Sequence, residues 1–375
     1  MPNTYENAKK FALSHILPFS KQIDENCEFP AQSFKQMGEA GYFSLLIPKE
    51  YGGQGFGLKE HADVCRAFAS ACATAGLCYM MHNVALMCIL THGSAELKAK
   101  IFKDVVENKK FLALAYSELG SGTHFYMPDL KASFNESGAT FNGIKSMVTS
   151  ATHASYYLIL VPSKIEGGID NWLIPLDAKG LEFKPNTWQG LGMRGNVSCQ
   201  MHLNNVSLDE SYRIGQSGSG AKQVFEVVAP FFVTGLGAVY TGLGQNVLEE
   251  AVAHTTQRKY TNGSALCEIE TVQVHLSKIY TQVNASIALV NEAANAGASG
   301  ADDALAKILA ARIFASEMAI EVSKIAMRVG GGKSYNKQNG LERLLRDAYA
   351  SQVMAPSVDV LSIWLGKAIT GQNIP

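Results

Sequence analysis

LALAYSELGSGTHF (112–125) and FNGIKSMVTSA (141–151) mark the place where a long helical pattern gives way to strands. The first opens on an apolar run, Leu112–Tyr116. It then breaks into small and hydroxylated residues: Ser117, Glu118, Gly120, Ser121, Gly122 and Thr123. Glycines let a backbone approach a ligand closely and present its amide N–H groups, and hydroxyls add directional hydrogen bonds. The second stretch, from Lys145 to Ala151, is again apolar with hydroxyls. Two such segments on neighbouring strands suit a large, flat, partly polar cofactor. By themselves the residues are also those of a plain β-hairpin with a Gly/Ser turn.

On the N-terminal side, residues from about 5 to 110 read as helix. Phe11, Leu13, Ile16 and Leu17 recur at helical spacing, Pro30 opens a further helix and Gly41 closes it. A turn-rich link, IPKEYGGQGFG (47–57), precedes apolar helical stretches from Leu58 to Thr91. The segment 97–110 is amphipathic, with basic residues near its end. From about 112 to 215 the period is two. Leu130, Ala132 and Phe134 alternate, Thr140–Gly143 suggests a hairpin, and Tyr156–Val161, Asn171–Leu176 and Gln200–Leu203 read as strands. Loops fall at Glu166–Gly168 and Gly190–Gly195, and GQSGSG (215–220) marks a boundary. Helical segments then return at 222–259, 268–298, 302–329, 341–352 and 356–370, enough for a bundle. The expected organisation is α+β and multidomain: an all-helical domain at 1–111, a small β-barrel or sandwich at 112–216, and a C-terminal four-helix bundle at 217–375.

Composition narrows the function classes. Apolar residues make up 47% and charged residues 17% of the 375, which describes a globular chain. The formal net charge is −1 and no basic block stands out, so nucleic acid and anionic membranes are poor partners. Seven cysteines without CxxC or Cys/His ligand spacing read as buried thiols of a reducing compartment, with neither disulfides nor metal. The polar N-terminus shows no signal peptide, and the chain is expected to be cytoplasmic. The charge-free run between Glu226 and Glu249 is long enough to span a bilayer, but Pro230 and four glycines mark it as a buried helix. RVGGGKS (328–334) misses the P-loop spacing, because Met327 stands where a glycine is required. GLGAVY (235–240) lacks the last glycine of a dinucleotide fingerprint, and its glycines instead suit close helix approach.

Six words in order resemble the acyl-CoA dehydrogenase family of flavoproteins. They are GYFSLLIPKEYGGQGFG (41–57), YSELGSGTH (116–124), KSMVTSA (145–151), GLGMRGNVSCQMHLNNVSL (190–208), QRKYTNG (257–263) and GGKSYNKQNGLERLLRDA (331–348). The resemblance covers nearly the whole chain. It implies FAD held between the β-domain and the bundle, with a neighbouring subunit of a homotetramer or homodimer completing the site. It further implies that Ser117 bonds the flavin pyrimidine edge, Thr149 the N5 region and Thr123 the pyrophosphate. Leu114, Tyr116, Gly122 and Val148 join the same contact set, and Met147 stands where the family has a tryptophan against the flavin face. Arg258 would pair with the pyrophosphate and Arg328 would add a phosphate contact. Gly331 and Gly332 of a partner chain would approach the adenosine, and Ser357 would touch the cofactor. The implied partners are an acyl thioester of CoA or of a carrier protein and, as electron acceptor, an electron-transfer flavoprotein, a flavin reductase or oxygen.

The chain departs from the family at the catalytic base. Removing an α-proton from an acyl thioester calls for a carboxylate with a raised pKa in an apolar pocket. The register Arg346-Asp347-Ala348 places Ala355 at the family's glutamate position, and no Asp or Glu lies between Tyr349 and Val358. The second position used within the family, on the first bundle helix before a CoA-binding arginine, is Val228-Ala229 here. His82 matches a histidine that part of the family carries near the acyl pocket, and it is otherwise a helix-packing residue. Four readings stand: acyl-thioester dehydrogenation with a non-standard base, flavin monooxygenation on the same fold, an unusual or non-redox tailoring reaction on carrier-protein-bound acyl groups, and a non-catalytic flavin-binding scaffold.

Overall fold

The computed structural model describes residues 3–374. Six helices come first: α1 (Thr4–His15), α2 (Ser20–Asn26), α3 (Ala31–Glu39), α4 (Leu58–Ala69), α5 (Ala73–His92) and α6 (Ala95–Val106). Pro30 sits at the N-cap of α3, and Gly41 beyond its end takes the left-handed φ of 80° that a side chain disfavours.

Eight strands follow: β1 (Leu112–Ala115), β2 (Lys131–Phe134), β3 (Gly138–Val148), β4 (Tyr156–Pro162), β5 (Ile169–Pro175), β6 (Leu181–Lys184), β7 (Cys199–Asp209) and β8 (Arg213–Ile214). They form two four-stranded sheets, ordered β1-β4-β5-β8 and β2-β3-β7-β6. Only the β1–β4 pair is parallel, Leu112 facing Tyr156. The sheets stack as a sandwich, with the fully buried Phe141 of β3 edge-on to Trp172 of β5 at 5.1 Å. One local expectation fails. Thr140–Gly143 is not a hairpin but the middle of β3, where Phe141 pairs with Val206 and Gly143 with Leu203, and the register shift between them places the extra residue on β7. The turn lies earlier, where the Asn135 side chain accepts from the amides of Ser137 and Gly138 at 2.9 and 2.8 Å.

The third part begins with α7 (Gly220–Gln223), a π-turn (Val224–Val228) and α8 (Ala229–Gln257), running on as one rod. Pro230 explains the π-turn. It has no N–H and would crowd the carbonyl four residues back, and the wider turn relieves both problems. The rest is α9 (Glu270–Ser299), α10 (Ala304–Tyr335), α11 (Leu341–Val353) and α12 (Val358–Ile369). Helix α8 packs on α9 and α10 and on α4 and α5, joining both helical layers. Its glycines permit that approach: a Cβ on Gly242 would lie 2.2 Å from the Arg66 carbonyl, and one on Gly235 would lie 2.5 Å from Met80. The two helices long and apolar enough to cross a membrane, α5 and the α7–α8 rod, are buried core helices.

Candidate active site

A cavity of about 440 Å³ opens where the β-sandwich, α5, α8 and the end of α11 meet. One wall is polar. Ser117 and Glu118 follow β1, Ser146 lies near the end of β3 and Thr149 just beyond it, and Asn196 and Ser198 precede β7. These segments are cross-tied. The Ser146 amide donates to the Ser117 carbonyl at 2.8 Å and the Ser150 amide to the Asn196 carbonyl at 2.8 Å. Thr149 Oγ1 and Ser198 Oγ are bonded at 3.0 Å. Behind the wall the Tyr116 hydroxyl donates to Asn171. The Asn171 amide donates in turn to Gln223 at 2.9 Å, so β1 is tethered to the start of the bundle. The backbone here is strained. Of nine non-glycine residues with left-handed φ among the described residues, five (Met147, Ser150, Thr152, Met193 and Val197) belong to the second and third segments of this wall. For the β-branched Val197 such a conformation is a true outlier, and strain of this kind collects at functional sites.

The opposite wall is apolar: Val228, Ala229, Phe232 and Val233 from the α8 rod, and Ala350, Val353, Met354, Ala355 and Pro356 at the end of α11. Met81, Phe125, Trp188 and Met193 close the sides. The loop carrying Trp188 and Met193 is clamped between layers. Asp347 Oδ1 accepts the Met193 amide at 2.5 Å, and Arg346 reaches the Leu191 carbonyl at 3.2 Å. Arg346 also grips Asp24 of α2 through two bonds of 2.8 and 2.5 Å. A Cβ on Gly192 would fall 2.1 Å from the Arg346 carbonyl, so the loop lies flush on α11. Burial pushes the Asp347 carboxyl up to about 6.

Among the described residues, Glu118 is the only carboxylate on the lining, and no His, Lys or Arg side chain joins it. It is not free. One oxygen is paired with the Lys145 ammonium, and the other accepts the Asp129 amide at 2.6 Å.

Leu114, Tyr116, Ser117, Gly122, Met147 and Thr149 stand on this lining together with Val228 and Ala355. Met147 is 58% exposed on this open lining. Val148 points into the sandwich core, and Thr123 sits in the loop beyond Gly122, off the lining. Of the two roles the sequence left to His82, only packing survives. The residue is fully buried behind β1, its Nε2 bonded to the Phe43 carbonyl at 2.8 Å, while its Nδ1 accepts the Leu112 amide at 3.1 Å. With both ring nitrogens engaged, and burial holding its pKa down to about 4, it is a neutral packing residue and not a base of the cavity. Ser357 caps α12, its Oγ accepting from the Val360 amide at 3.5 Å.

Arg258, Arg328, Gly331 and Gly332 lie away from this cavity, at the far end of the bundle. There Leu266 and Val272, beyond the end of α8, pack on Val329 near the end of α10. Gly331 breaks the helical conformation of α10 with φ 55° and ψ −142°. The charges of Lys333 and Arg258 add to burial in lowering the His254 pKa, so two cations converge on this end. Trp188, Asn196, Ser198 and Phe232 were not singled out from sequence as site residues. The available signal was the spacing of Gly190, Gly192 and Gly195, each packed with no room for a Cβ against Trp188, Arg346 and Glu28 respectively.

Family models for the acyl-CoA dehydrogenase N-terminal, middle and C-terminal domains match residues 3–109, 113–206 and 234–368. The chain is 25% identical over 364 residues to the probable acyl-CoA dehydrogenase FadE25 of Mycobacterium tuberculosis, covering 96% of this chain and 93% of that one. It superposes on butyryl-CoA dehydrogenase from Megasphaera elsdenii with a TM-score of 0.90 at 21% identity, covering 99% of each chain. It also superposes on the prolyl acyl carrier protein oxidase AnaB with a TM-score of 0.86 at 21% identity, covering 98% of this chain and 99% of the other.

Proposed function

The chain belongs to the acyl-CoA dehydrogenase family, and on that footing we propose that it is an FAD-dependent oxidoreductase. In this reading it dehydrogenates an acyl group held as a thioester across the α,β-bond, with a proton acceptor other than the family's glutamate. The observation that carries this is the cavity itself, a hydroxyl-lined, strained β-wall facing an apolar helical wall that ends at Ala355. The β-wall fits a flat heteroaromatic ring with polar edges. Ser117 and Thr149 offer hydroxyls, and Gly122, with φ 52° and nothing within 4 Å of a built Cβ, leaves room for close approach. Bound there, FAD supplies the two-electron acceptor for the hydride leaving the substrate's β-carbon.

The protein's own part is to hold, orient and exclude. Ser117 and Thr149 grip the ring edge, while Leu114, Tyr116, Met147 and the Val148 backbone frame it, and Thr123 meets the pyrophosphate. Val228, Phe232 and Ala355 shield the acyl chain from water, and neither family base position can take a proton. The α-proton is therefore taken by hydroxide that reaches the α-carbon from the cavity mouth, outside the shielded part of the chain, which favours acyl groups whose α-proton is already acidified. Arg258, Arg328, Gly331 and Gly332 serve the phosphate and adenosine end of a cofactor in a neighbouring subunit. The assembly is a homotetramer or homodimer, for which exposed apolar side chains on α9 and α12 (Val274, Tyr280 and Ile363) supply contact surface. The thioester is carried by CoA or by a carrier protein, the electrons leave to an electron-transfer flavoprotein or to oxygen, and the setting is cytoplasmic.

A second reading, flavin monooxygenation fed by a separate flavin reductase, is favoured by one observation: the absence of a free proton acceptor among the described lining residues. The purified protein tests both. It should be yellow and should bleach under anaerobic mixing with an acyl thioester. Product formation only with reduced flavin and oxygen would support the second reading, and a colourless protein that takes up no FAD would end both.

A further inference from the structure

Lys145 is the largest unexplained investment in the cavity wall. Its side chain is fully buried, and its three N–H donors face three acceptors on two segments. These are the Glu118 carboxylate in the loop after β1, the Leu160 carbonyl of β4 at 2.6 Å, and the Tyr116 carbonyl at 3.4 Å. Tyr116 and Glu118 flank Ser117, so the ammonium holds Ser117 from both sides. Glu118 passes the tension on by accepting the Asp129 amide at 2.6 Å, which folds the loop after Ser117 back on itself. Downstream, the β3–β7 register breaks between Lys145 and Val148, where Met147 takes a left-handed φ of 50°, and Met147 and Thr149 both come onto the cavity lining. One ammonium thus stands at the joint that sets where both hydroxyls point.

Such a pair is a poor source of stability. Desolvating two charges costs about as much as their attraction returns, and apolar replacements of equal volume are often neutral or better. Burial alone pulls the Lys145 pKa down, to about 8, against the opposing pull of Glu118. What the pair does supply is direction, because a charged hydrogen-bonded group tolerates few geometries.

We propose that Lys145, held by Glu118, is the positioning residue of the cofactor wall, fixing Ser117 and Thr149 at the spacing that reads a flavin edge. This rests on the FAD reading above. The test uses the full chain stripped of flavin and compares Lys145→Met with the double variant Glu118→Leu/Lys145→Met. Apoprotein melting, FAD affinity by fluorescence titration, and the shape of the bound flavin's visible absorption bands are measured for each. Lys145→Met should lower the melting temperature, because it strands a buried carboxylate, and should weaken FAD binding at least tenfold. The double variant should recover the melting temperature while FAD binding stays at least tenfold weak and the bands keep a solvent-like shape.

Recovery of FAD affinity together with melting temperature would overturn the proposal and leave the pair a matter of stability alone. Wild-type affinity in Lys145→Met would overturn it as well. Should Lys145→Met fail to fold, Glu118→Gln is measured instead. It keeps the volume but leaves the Lys145 ammonium without its counter-charge, so it should lower the melting temperature and weaken FAD binding severalfold, while unchanged binding would count against the proposal. A wild-type chain that takes up no FAD would sink the flavin reading and this proposal with it, whereas the other outcomes bear on Lys145 only.

Discussion

The two walls of the cavity are built on opposite principles. The β-wall concentrates hydroxyls, left-handed backbone and a buried ion pair within the segments 116–123, 145–152 and 193–198. The helical wall, from Val228 to Val233 and from Ala350 to Pro356, carries no ionisable side chain at all. In a fold whose usual chemistry needs one carboxylate on the second wall, the chain keeps what would hold the cofactor and omits what would move the proton. Cofactor recognition is spread over many residues and strained geometry, so a single substitution rarely erases it. Proton transfer hangs on one side chain and can be lost or replaced at one position.

The substitution that would most change this contrast is Ala355→Glu. Installing a carboxylate on the bare wall should raise the rate of flavin bleaching by acyl-CoA by about 10²–10⁴-fold, the usual worth of a positioned base. Stopped-flow absorbance reads it, and no gain would mean that the α-carbon is not aimed at position 355. Next in size is Gly192→Ala. A methyl 2.1 Å from the Arg346 carbonyl must push the clamped loop off α11, costing about 1–3 kcal/mol in denaturant unfolding.

Charge kept behind the walls gives a pH signature. His61, bonded to the Phe231 carbonyl at 3.2 Å, and His82 are both buried with pKa values pulled down to about 4 from 6.5. Their contribution to stability is full above pH 6.5 and is lost as pH falls through 4. Asp347 acts in the opposite sense: its value is raised from 3.8 to about 6, so its contribution is present at low pH and is lost as pH rises through 6. Two rings against one carboxyl leave a net loss of about 1.4 kcal/mol per pH unit on acidification between about pH 6 and pH 4. Melting curves across that window check it, and a stability that rises on acidification would reverse the assignment.

Thr149→Val, which removes the hydroxyl shared with Ser198, should weaken FAD binding about tenfold, the worth of roughly 1.4 kcal/mol of hydrogen bonding. His82→Gln should destabilise the protein and leave the kinetics of flavin bleaching unchanged in the folded fraction. A change in their pH dependence would return His82 to the chemistry.

Legibility in the sequence followed the range of the forces involved. The three-part order of helix, strand and bundle was readable because hydrophobic periods are local, and the ends of α3 showed in Pro30 and Gly41. Thr140–Gly143 was misread because Asn-Gly signals a turn and a bulge with the same residues, and pairing with β7, sixty residues away, decides between them. His82 stayed a weak candidate base beside its packing role in the sequence, because nothing local reveals that Phe43 and Leu112 occupy both nitrogens. Ser117, Thr149 and Ala355 were found through family words. Trp188, Asn196 and Ser198 were not found, because their loop is placed by Asp347 and Arg346, some 150 residues downstream.

The claim on which the rest depends is that the cavity holds a flavin but supplies no carboxylate to take the α-proton. The pH dependence of the single-turnover rate of flavin bleaching, with one acyl thioester and no oxygen, tests it most directly. The account predicts a rate that climbs about tenfold per pH unit with no plateau, as expected when hydroxide from the solvent removes the proton. A plateau above an inflection at about pH 5–7 would reveal a protein carboxylate at work and contradict it.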